Sequence, residues 1–244
     1  MTWSPPSSCR TFSHAELSPM SSTKAVQKPS PTKLAVRRLR RSELPEDTIE
    51  LARFLIGKII VHELPKGRLS GRIVETEAYP PGDPAGHHFR GPTPRIRSMY
   101  RAQGHAYIFF NYGAHFMLNV VSEPEGTASA ILIRAIEPLE GIELMKRHRK
   151  TDRLLDLTRG PGRLAAAFKI DRRHDGVDLC TDDALWLGDS NYPVGEIGTS
   201  VRIGITRAAE QPFRFYERGN PFVSGPKRLL HPVKEHKTLR STKQ

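Results

Sequence analysis

Apolar and polar residues alternate most clearly over residues 71–79, which read GRIVETEAY. Alternation with a period of two predicts a β-strand with one buried face. Two carboxylates, Glu75 and Glu77, interrupt this run near its end. Residues two apart on a strand share a face and lie about 7 Å apart. A strand end open to water would explain such a pair, and so would a site that uses carboxylates for chemistry.

Similar patterns predict the other elements. A helix begins after the N-cap Ser42, carries an apolar stripe and ends at Gly57. Further predicted strands are residues 58–64, 68–79, 105–112, 115–122, 129–136, 184–187, 200–205 and 212–216, and further helices are residues 139–148, a segment from Asp152, and 164–170. Because connections are short and strands adjoin in sequence, we predict a single α+β domain with a mainly antiparallel β-sheet and surrounding helices.

Composition divides the chain into three parts. Residues 1–41 are rich in Ser, Pro, Thr, Lys and Arg, which predicts a disordered basic arm. The globular domain is expected over residues 42–226, and a basic C-terminal tail over residues 227–244. The formal charge of +12 comes entirely from the ends, because residues 43–226 are neutral. Basic ends favour nucleic acid as the partner, although tails that only aid solubility would have the same composition.

Other function classes are disfavoured by the sequence. No apolar run approaches the roughly 18 residues of a membrane span, and the first residues lack the apolar block of a secretory signal. We therefore expect no membrane contact and a cytoplasmic, nucleoid-associated location. The two cysteines, Cys9 and Cys180, are isolated, which argues against a disulfide framework or a cysteine-based metal site.

Two chemistries remain open for the acidic pair. Carboxyl groups about 6.5–9.5 Å apart suit a glycosidic hydrolase in which one group activates water. Metal binding is the competing chemistry, because Glu75 and Glu77 could converge with His87 and His88 of the following Pro/Gly-rich loop. Arg134 interrupts another apolar run, and a buried arginine requires a carboxylate or phosphate partner.

Two further features point to nucleic acid. Aromatic residues fall on both faces of the run 105–112, so that one face can pack in the core and the other can stack on bases. A Gly/Pro turn, GPGRL, opens the helix predicted over residues 164–170, with Arg159 and Arg163 nearby. This turn is either a phosphate site or a plain connection between helices.

Together, GRIVETEAY, DPAGHHFRG, TPR, YIFFNYGAHFMLN and ILIRAIEPLEG closely resemble the methylpurine (3-methyladenine or alkyladenine) DNA glycosylase family over residues 43–225. The resemblance implies a curved antiparallel sheet, no metal or organic cofactor, and a monomer that binds double-stranded DNA containing damaged purines. It implies a monofunctional base-excision-repair enzyme. Such an enzyme flips alkylated or deaminated purines out of the duplex and hydrolyses the N-glycosidic bond with a Glu-activated water.

The resemblance assigns roles residue by residue. Glu77 is the general base and Arg134 holds it, while Glu75 is a supporting partner of Arg134. The base pocket comprises Tyr79, His87, Phe109 and Asn119, of which Asn119 excludes guanine. The DNA wedge is Tyr112. The contacts to the DNA backbone are Thr93, Arg95, Gly162 and Arg163.

The chain departs from the family pattern at a few positions. Phe109 stands where the family often has Tyr, and Ala114 replaces a bulkier residue beside the wedge. The loop after Tyr79 is one residue short, so His88 competes with His87 for the pocket position. Two other functions stay open: a damage-binding protein that does not cleave, and a metal-independent hydrolase of other nucleosides or glycosides.

Overall fold

The computed structural model describes Met1, residues 35–111 and residues 113–230. The folded domain begins earlier than predicted, because Arg37–Arg38 is a strand that pairs with Asp189 and Gly188. The sheet therefore includes residues that precede the predicted boundary at residue 42. Leu39, which is 1% exposed, anchors this segment in the core. The predictions for residues 2–34 and 231–244 lie outside the described residues.

Within residues 35–111 and 113–230, nine strands form one antiparallel sheet, which confirms the predicted fold class. They are β1 (Arg37–Arg38), β2 (Ile59–Leu64), β3 (Gly67–Tyr79), β4 (Ala106–Asn111), β5 (His115–Val120), β6 (Ala130–Glu140), β7 (Leu185–Asp189), β8 (Ile197–Ser200) and β9 (Arg214–Glu217). The main order is β1-β7-β2-β3-β6-β5-β4, and β9 pairs with both β3 and β8.

The 13-residue β3 is the centre of this sheet. One edge pairs with β2 and then with β9, while the other pairs with β6 along most of its length. The register with β6 shifts near Glu75, so that Ala135 lies opposite Glu75 and Ile133 lies opposite Thr76. Arg134 is the extra residue at this irregularity. Such bulges redirect a side chain, which explains how Arg134 meets the carboxylates of β3.

The described part of the chain contains four α-helices, which contact the sheet: α1 (Thr48–Phe54), α2 (Ile142–Arg149), α3 (Leu155–Thr158) and α4 (Pro161–Ala167). The 3-10 helices are Arg41–Glu43, His87–Arg90, Pro94–Tyr100, Arg172–His174 and Lys227–Leu230. None of the helices in residues 35–111 and 113–230 is long and apolar enough to cross a bilayer. The predicted N-cap Ser42 is wrong, because Asp47 caps α1 by accepting from the N–H groups of Ile49 and Glu50.

The buried apolar residues of the described chain form three clusters, the third around Val74, Tyr216 and Phe222. Apolar residues of α1, α2 and α4 pack on one face of the sheet, with Leu51, Leu144 and Leu164 among the buried ones. A smaller cluster lies under the 3-10 helix Pro94–Tyr100 and includes Met99 and Tyr107. The functional side chains lie beside this smaller cluster.

The predicted strand over residues 200–205 is wrong beyond Ser200. After β8 the chain forms a loop, because Arg202 turns inward to a carboxylate and the N–H of Ile203 donates to the Glu77 side chain instead of a sheet partner. Two of the alternating apolar residues, Ile203 and Ile205, instead line a cavity beside Glu77.

Candidate active site

Glu77 lies on β3 with a fully buried side chain that forms part of a cavity wall. Its Oε1 accepts the backbone N–H of Ile203 at 2.7 Å and forms an ion pair with Arg134 Nη1 at 3.1 Å. Its Oε2 accepts the hydroxyl of Tyr79 at 3.0 Å. A carboxylate has about four acceptor positions, so Oε2 retains capacity for one more donor.

Glu75 has a different environment although it shares a strand face with Glu77. Its Oε1 accepts Nε of Arg134 at 2.9 Å and Nε of Arg214 at 2.7 Å. Its Oε2 accepts the backbone N–H of Ser224 at 2.6 Å. The protein therefore engages both oxygens of Glu75, which suits a structural ion pair.

Arg134 joins the two carboxylates. Its side chain is 9% exposed and contacts Glu75 through Nε and Glu77 through Nη1. Nη2 lies 3.3 Å from the Ser224 hydroxyl. Burial alone would lower the pKa of Arg134, but the charges of Glu77 and Glu75 outweigh it and the net shift is upward. Arg134 thus remains a cation that fixes the position of Glu77.

A cavity of about 320 Å³ opens beside this cluster. That volume lies at the lower end of the range of small-ligand pockets. Its walls combine the acid cluster with aromatic and aliphatic side chains from β3, β4, β5, β6 and the loops after β3 and β8. The lining residues that bear on function are Glu77, Tyr79, His87, Tyr107, Phe109, Asn119, Arg134 and Ile203.

Aromatic rings form one wall of the cavity. The rings of His87 and Phe109 stack with their centres 3.9 Å apart, and His87 Nδ1 lies 2.9 Å from the hydroxyl of Tyr107. At that separation the rings are in van der Waals contact, so no base fits between these two. Burial, followed by the positive charge of Arg95, lowers the pKa of His87, and burial raises the pKa of Tyr107. The pair is therefore neutral near pH 7.

The structure distinguishes the two neighbouring histidines. His87 lines the cavity, whereas His88 is 7% exposed and lies with Nε2 2.9 Å from the carbonyl oxygen of Pro80. Because Glu75 faces two arginines and His88 faces this backbone carbonyl, the four-residue metal cluster does not form. Among the described residues, no group of three or more His, Cys, Asp or Glu side chains is placed to hold a metal ion.

The other predicted pocket residues also lie at the cavity. Tyr79 contributes its hydroxyl to Glu77, and its pKa is raised by burial and then by the charge of Glu77. Asn119, 6% exposed on β5, donates Nδ2 to the carbonyl oxygens of Tyr107 at 3.1 Å and Met117 at 3.4 Å. The amide is thus held in one orientation at the pocket wall.

The predicted DNA contacts fall into two groups. Thr93 and Arg95 are exposed at the start of the 3-10 helix Pro94–Tyr100, and the guanidinium of Arg95 lies 4.4 Å from the ring centre of Phe109. At the start of α4, Arg163 forms an ion pair of 2.7 Å with Asp156.

The N-terminus of α4 adjoins the hairpin of β4 and β5. Pro161 lines the cavity, and Gly162 packs closely on the hairpin, because a Cβ there would meet the His115 side chain at 3.0 Å and would require that side chain to shift. In the hairpin turn Gly113 has a φ of +65°. The predicted wedge, Tyr112, lies outside the described residues.

Sequence reasoning missed four contributors. Ile203 acts through its backbone, which no side-chain pattern reveals, and Tyr107 shares a strand face with Phe109, but the alternation does not indicate which face stacks on bases and which packs in the core. Arg214 and Arg202 are buried arginines at apolar strand or loop positions. The signal that identified Arg134, a charge inside an apolar run, would have identified these two as well.

Comparisons with known proteins identify the family. The family model for methylpurine-DNA glycosylase (MPG) matches residues 42–221. A Mesorhizobium japonicum protein is 60% identical over 191 residues, which cover 78% of this chain and 92% of the relative. A Paraburkholderia phytofirmans protein is 51% identical over 197 residues, which cover 81% of this chain and 92% of the relative. Both carry the name "Putative 3-methyladenine DNA glycosylase". The chain therefore belongs to the methylpurine-DNA glycosylase family.

Proposed function

We propose that this glycosylase hydrolyses the N-glycosidic bond of alkylated or deaminated purines that are flipped out of double-stranded DNA. The substrate class comprises 3-methyladenine, hypoxanthine and ethenoadenine, and the product is an abasic site. One observation carries the proposal: a buried carboxylate, Glu77, faces a cavity of about 320 Å³ with acceptor capacity left on Oε2. The names of the two relatives support glycosylase activity on 3-methyladenine.

Glu77 acts as the general base in this proposal. A water that donates to Oε2 lies at the cavity wall, where it reaches C1′ of a nucleotide whose base fills the cavity. The Glu77 carboxylate is held in place by Arg134, by the Tyr79 hydroxyl and by the N–H of Ile203. Glu77 therefore needs no reorganisation before it accepts the proton of the water. Base departure leaves a sugar with oxocarbenium character, which the negative charge of Glu77 stabilises.

The base lies between two aromatic walls. The rings of His87 and Phe109 contact each other and leave no space for a base between them, so together they form one wall. Tyr79 forms the other wall. Stacking on aromatic side chains contributes roughly 1–3 kcal/mol per base. We assign the Tyr107 hydroxyl as donor to Nδ1 of His87, which leaves the proton on Nε2 as a donor to the base.

Asn119 selects against guanine. Its amide is held by two backbone carbonyl oxygens at the cavity wall, so it cannot turn aside for the exocyclic amine of guanine. A fixed obstacle raises the free energy of the transition state for a guanine substrate. Guanine is therefore excised more slowly than the bases that fit the pocket.

Duplex DNA covers the mouth of the cavity. We assign Tyr112 as the wedge that replaces the flipped nucleotide, and Thr93, Arg95, Gly162 and Arg163 as contacts to the sugar–phosphate backbone. The basic ends add salt-dependent attraction to DNA, and we expect a monomer at the nucleoid.

A gel assay for abasic sites tests the proposal. Duplexes that contain 3-methyladenine, hypoxanthine, ethenoadenine or 7-methylguanine are incubated with the protein and EDTA, then treated with alkali. Strand scission at 3-methyladenine, hypoxanthine and ethenoadenine is the expected result, with less scission at 7-methylguanine. Binding without scission would favour a damage-binding protein, and hydrolysis of free nucleosides without action on DNA would favour a different hydrolase.

A further inference from the structure

Arg202 and Asp83 form a buried ion pair beside the cavity. Their side chains are 0% and 2% exposed, and both terminal nitrogens of the guanidinium contact the carboxylate, with Nη2 3.1 Å from Oδ1. Desolvation of two buried charges offsets much of their attraction, and apolar side chains of similar volume often give equal stability. Stability alone is therefore a weak reason for this pair.

The pair connects three segments that surround the site. Arg202, in the loop after β8, donates to the carbonyl oxygens of Ala78 at 2.9 Å and Ala208 at 3.3 Å. Its guanidinium carbon lies 4.6 Å from the ring centre of Tyr79. Asp83 belongs to the loop after β3. One guanidinium thus contacts the end of β3 and both loops that border the cavity.

Each partner adjoins a group that faces the cavity. Ile203 follows Arg202 and donates its N–H to Glu77 at 2.7 Å. Asp83 accepts the N–H of Ala85 at 2.9 Å, and Ala85 and His87 line the cavity. Neither Arg202 nor Asp83 is among the described residues that line it. The pair therefore acts on the site through its neighbours.

We propose that the Arg202–Asp83 ion pair is a positioning device for base excision. It holds the two loops and the end of β3 so that the N–H of Ile203 and the hydroxyl of Tyr79 keep the Glu77 carboxylate in its reactive position. This inference rests on the proposed function. A displacement of about 1 Å at a reacting group lowers rates by up to a hundredfold, so a weakened pair slows excision. Lesion-DNA binding is affected less, because the stacking rings remain.

The variants Arg202→Lys and Asp83→Asn test the inference. The pair Arg72 and Glu217 provides a matched control: it is also buried, with two contacts of 2.9 and 2.5 Å, and neither residue is among those that line the cavity. Arg72→Lys and Glu217→Gln are therefore measured alongside. Each protein is assayed for single-turnover excision of hypoxanthine at saturating enzyme, for lesion-DNA affinity and for thermal melting.

We expect Arg202→Lys and Asp83→Asn to excise roughly tenfold to a hundredfold more slowly, with little change in DNA affinity, and the two control variants to excise at the parent rate. Arg202→Lys keeps the charge, so it decides the question if Asp83→Asn does not fold. Parent rates in both test variants, equal losses in the control pair, or a loss confined to affinity would overturn the inference. An inactive parent chain would contradict the proposed function itself.

Discussion

Glu75 and Glu77 lie two residues apart on one strand and contact the same guanidinium, that of Arg134, at 2.9 and 3.1 Å. Their remaining partners differ. Glu75 also contacts Arg214 and the N–H of Ser224, whereas Glu77 faces the cavity. The shared cation explains how two acids occupy one buried face, and the unequal partners separate a structural role from a chemical one.

The structural role predicts that Glu75→Gln destabilises the fold. A glutamine amide would present its N–H groups either to Arg134 and Arg214 or to the backbone N–H of Ser224, and all of these are themselves donors. Loss of one partner from a buried ion pair costs about 3–5 kcal/mol, and we expect the free energy of unfolding to fall by that order. Denaturant titration measures this free energy of unfolding.

The matched control is Glu63→Gln, because the ion pair of Glu63 with Arg68 is solvent-exposed and should contribute less than about 1 kcal/mol. Equal losses in both variants would contradict the assignment.

Tyr79→Phe removes the hydroxyl that donates to Glu77 Oε2 at 3.0 Å and keeps the ring. A hydrogen bond to a charged group contributes about 1.5–3 kcal/mol, so we expect single-turnover excision to slow by roughly tenfold to a hundredfold. Affinity for lesion DNA should stay near the parent value, because stacking persists. A variant that loses affinity but excises normally once saturated would show that the hydroxyl serves binding instead.

His87 should titrate below its ordinary pKa of 6.5, because it is buried and lies near Arg95. Its neutral form is favoured by folding, so its contribution to stability is complete above pH 6.5 and is lost as the pH falls from 6.5 toward the lower folded-state pKa. NMR titration of the imidazole measures this pKa. Arg95→Gln should raise the pKa of His87 only part of the way toward 6.5, because burial is the larger cause of the downward shift. A parent pKa at or above 6.5 would contradict the described environment.

Asn119→Ala should relax the selection against guanine-type bases. The variant enlarges the pocket beside the backbone carbonyl oxygens of Tyr107 and Met117. Pocket contacts of this kind discriminate by about 10- to 200-fold, and we expect the excision of 7-methylguanine relative to hypoxanthine to rise by about tenfold. Competition between the two lesions in one reaction measures the ratio. An unchanged ratio would assign the selection to another residue.

Much of the fold and part of the site could be predicted from the sequence, for physical reasons that differ between residues. Glu77 and Arg134 were identifiable because charges in apolar strands are costly and require a partner. Arg37–Arg38 was missed because two arginines carry no apolar pattern, although Leu39 beside them is buried. Ile203 contributes only its backbone N–H, so only the folded chain reveals it.

The central claim is that Glu77 activates the water that attacks the damaged nucleotide. Glu77→Gln is close in shape but is a far weaker base, and general base catalysis contributes about 10²–10⁴-fold. Single-turnover excision of hypoxanthine from a duplex at saturating enzyme, with lesion-DNA affinity measured on the same preparation, tests the claim most directly. The account predicts that base release is lost while affinity for lesion DNA is retained. Excision by Glu77→Gln at the parent rate would contradict it.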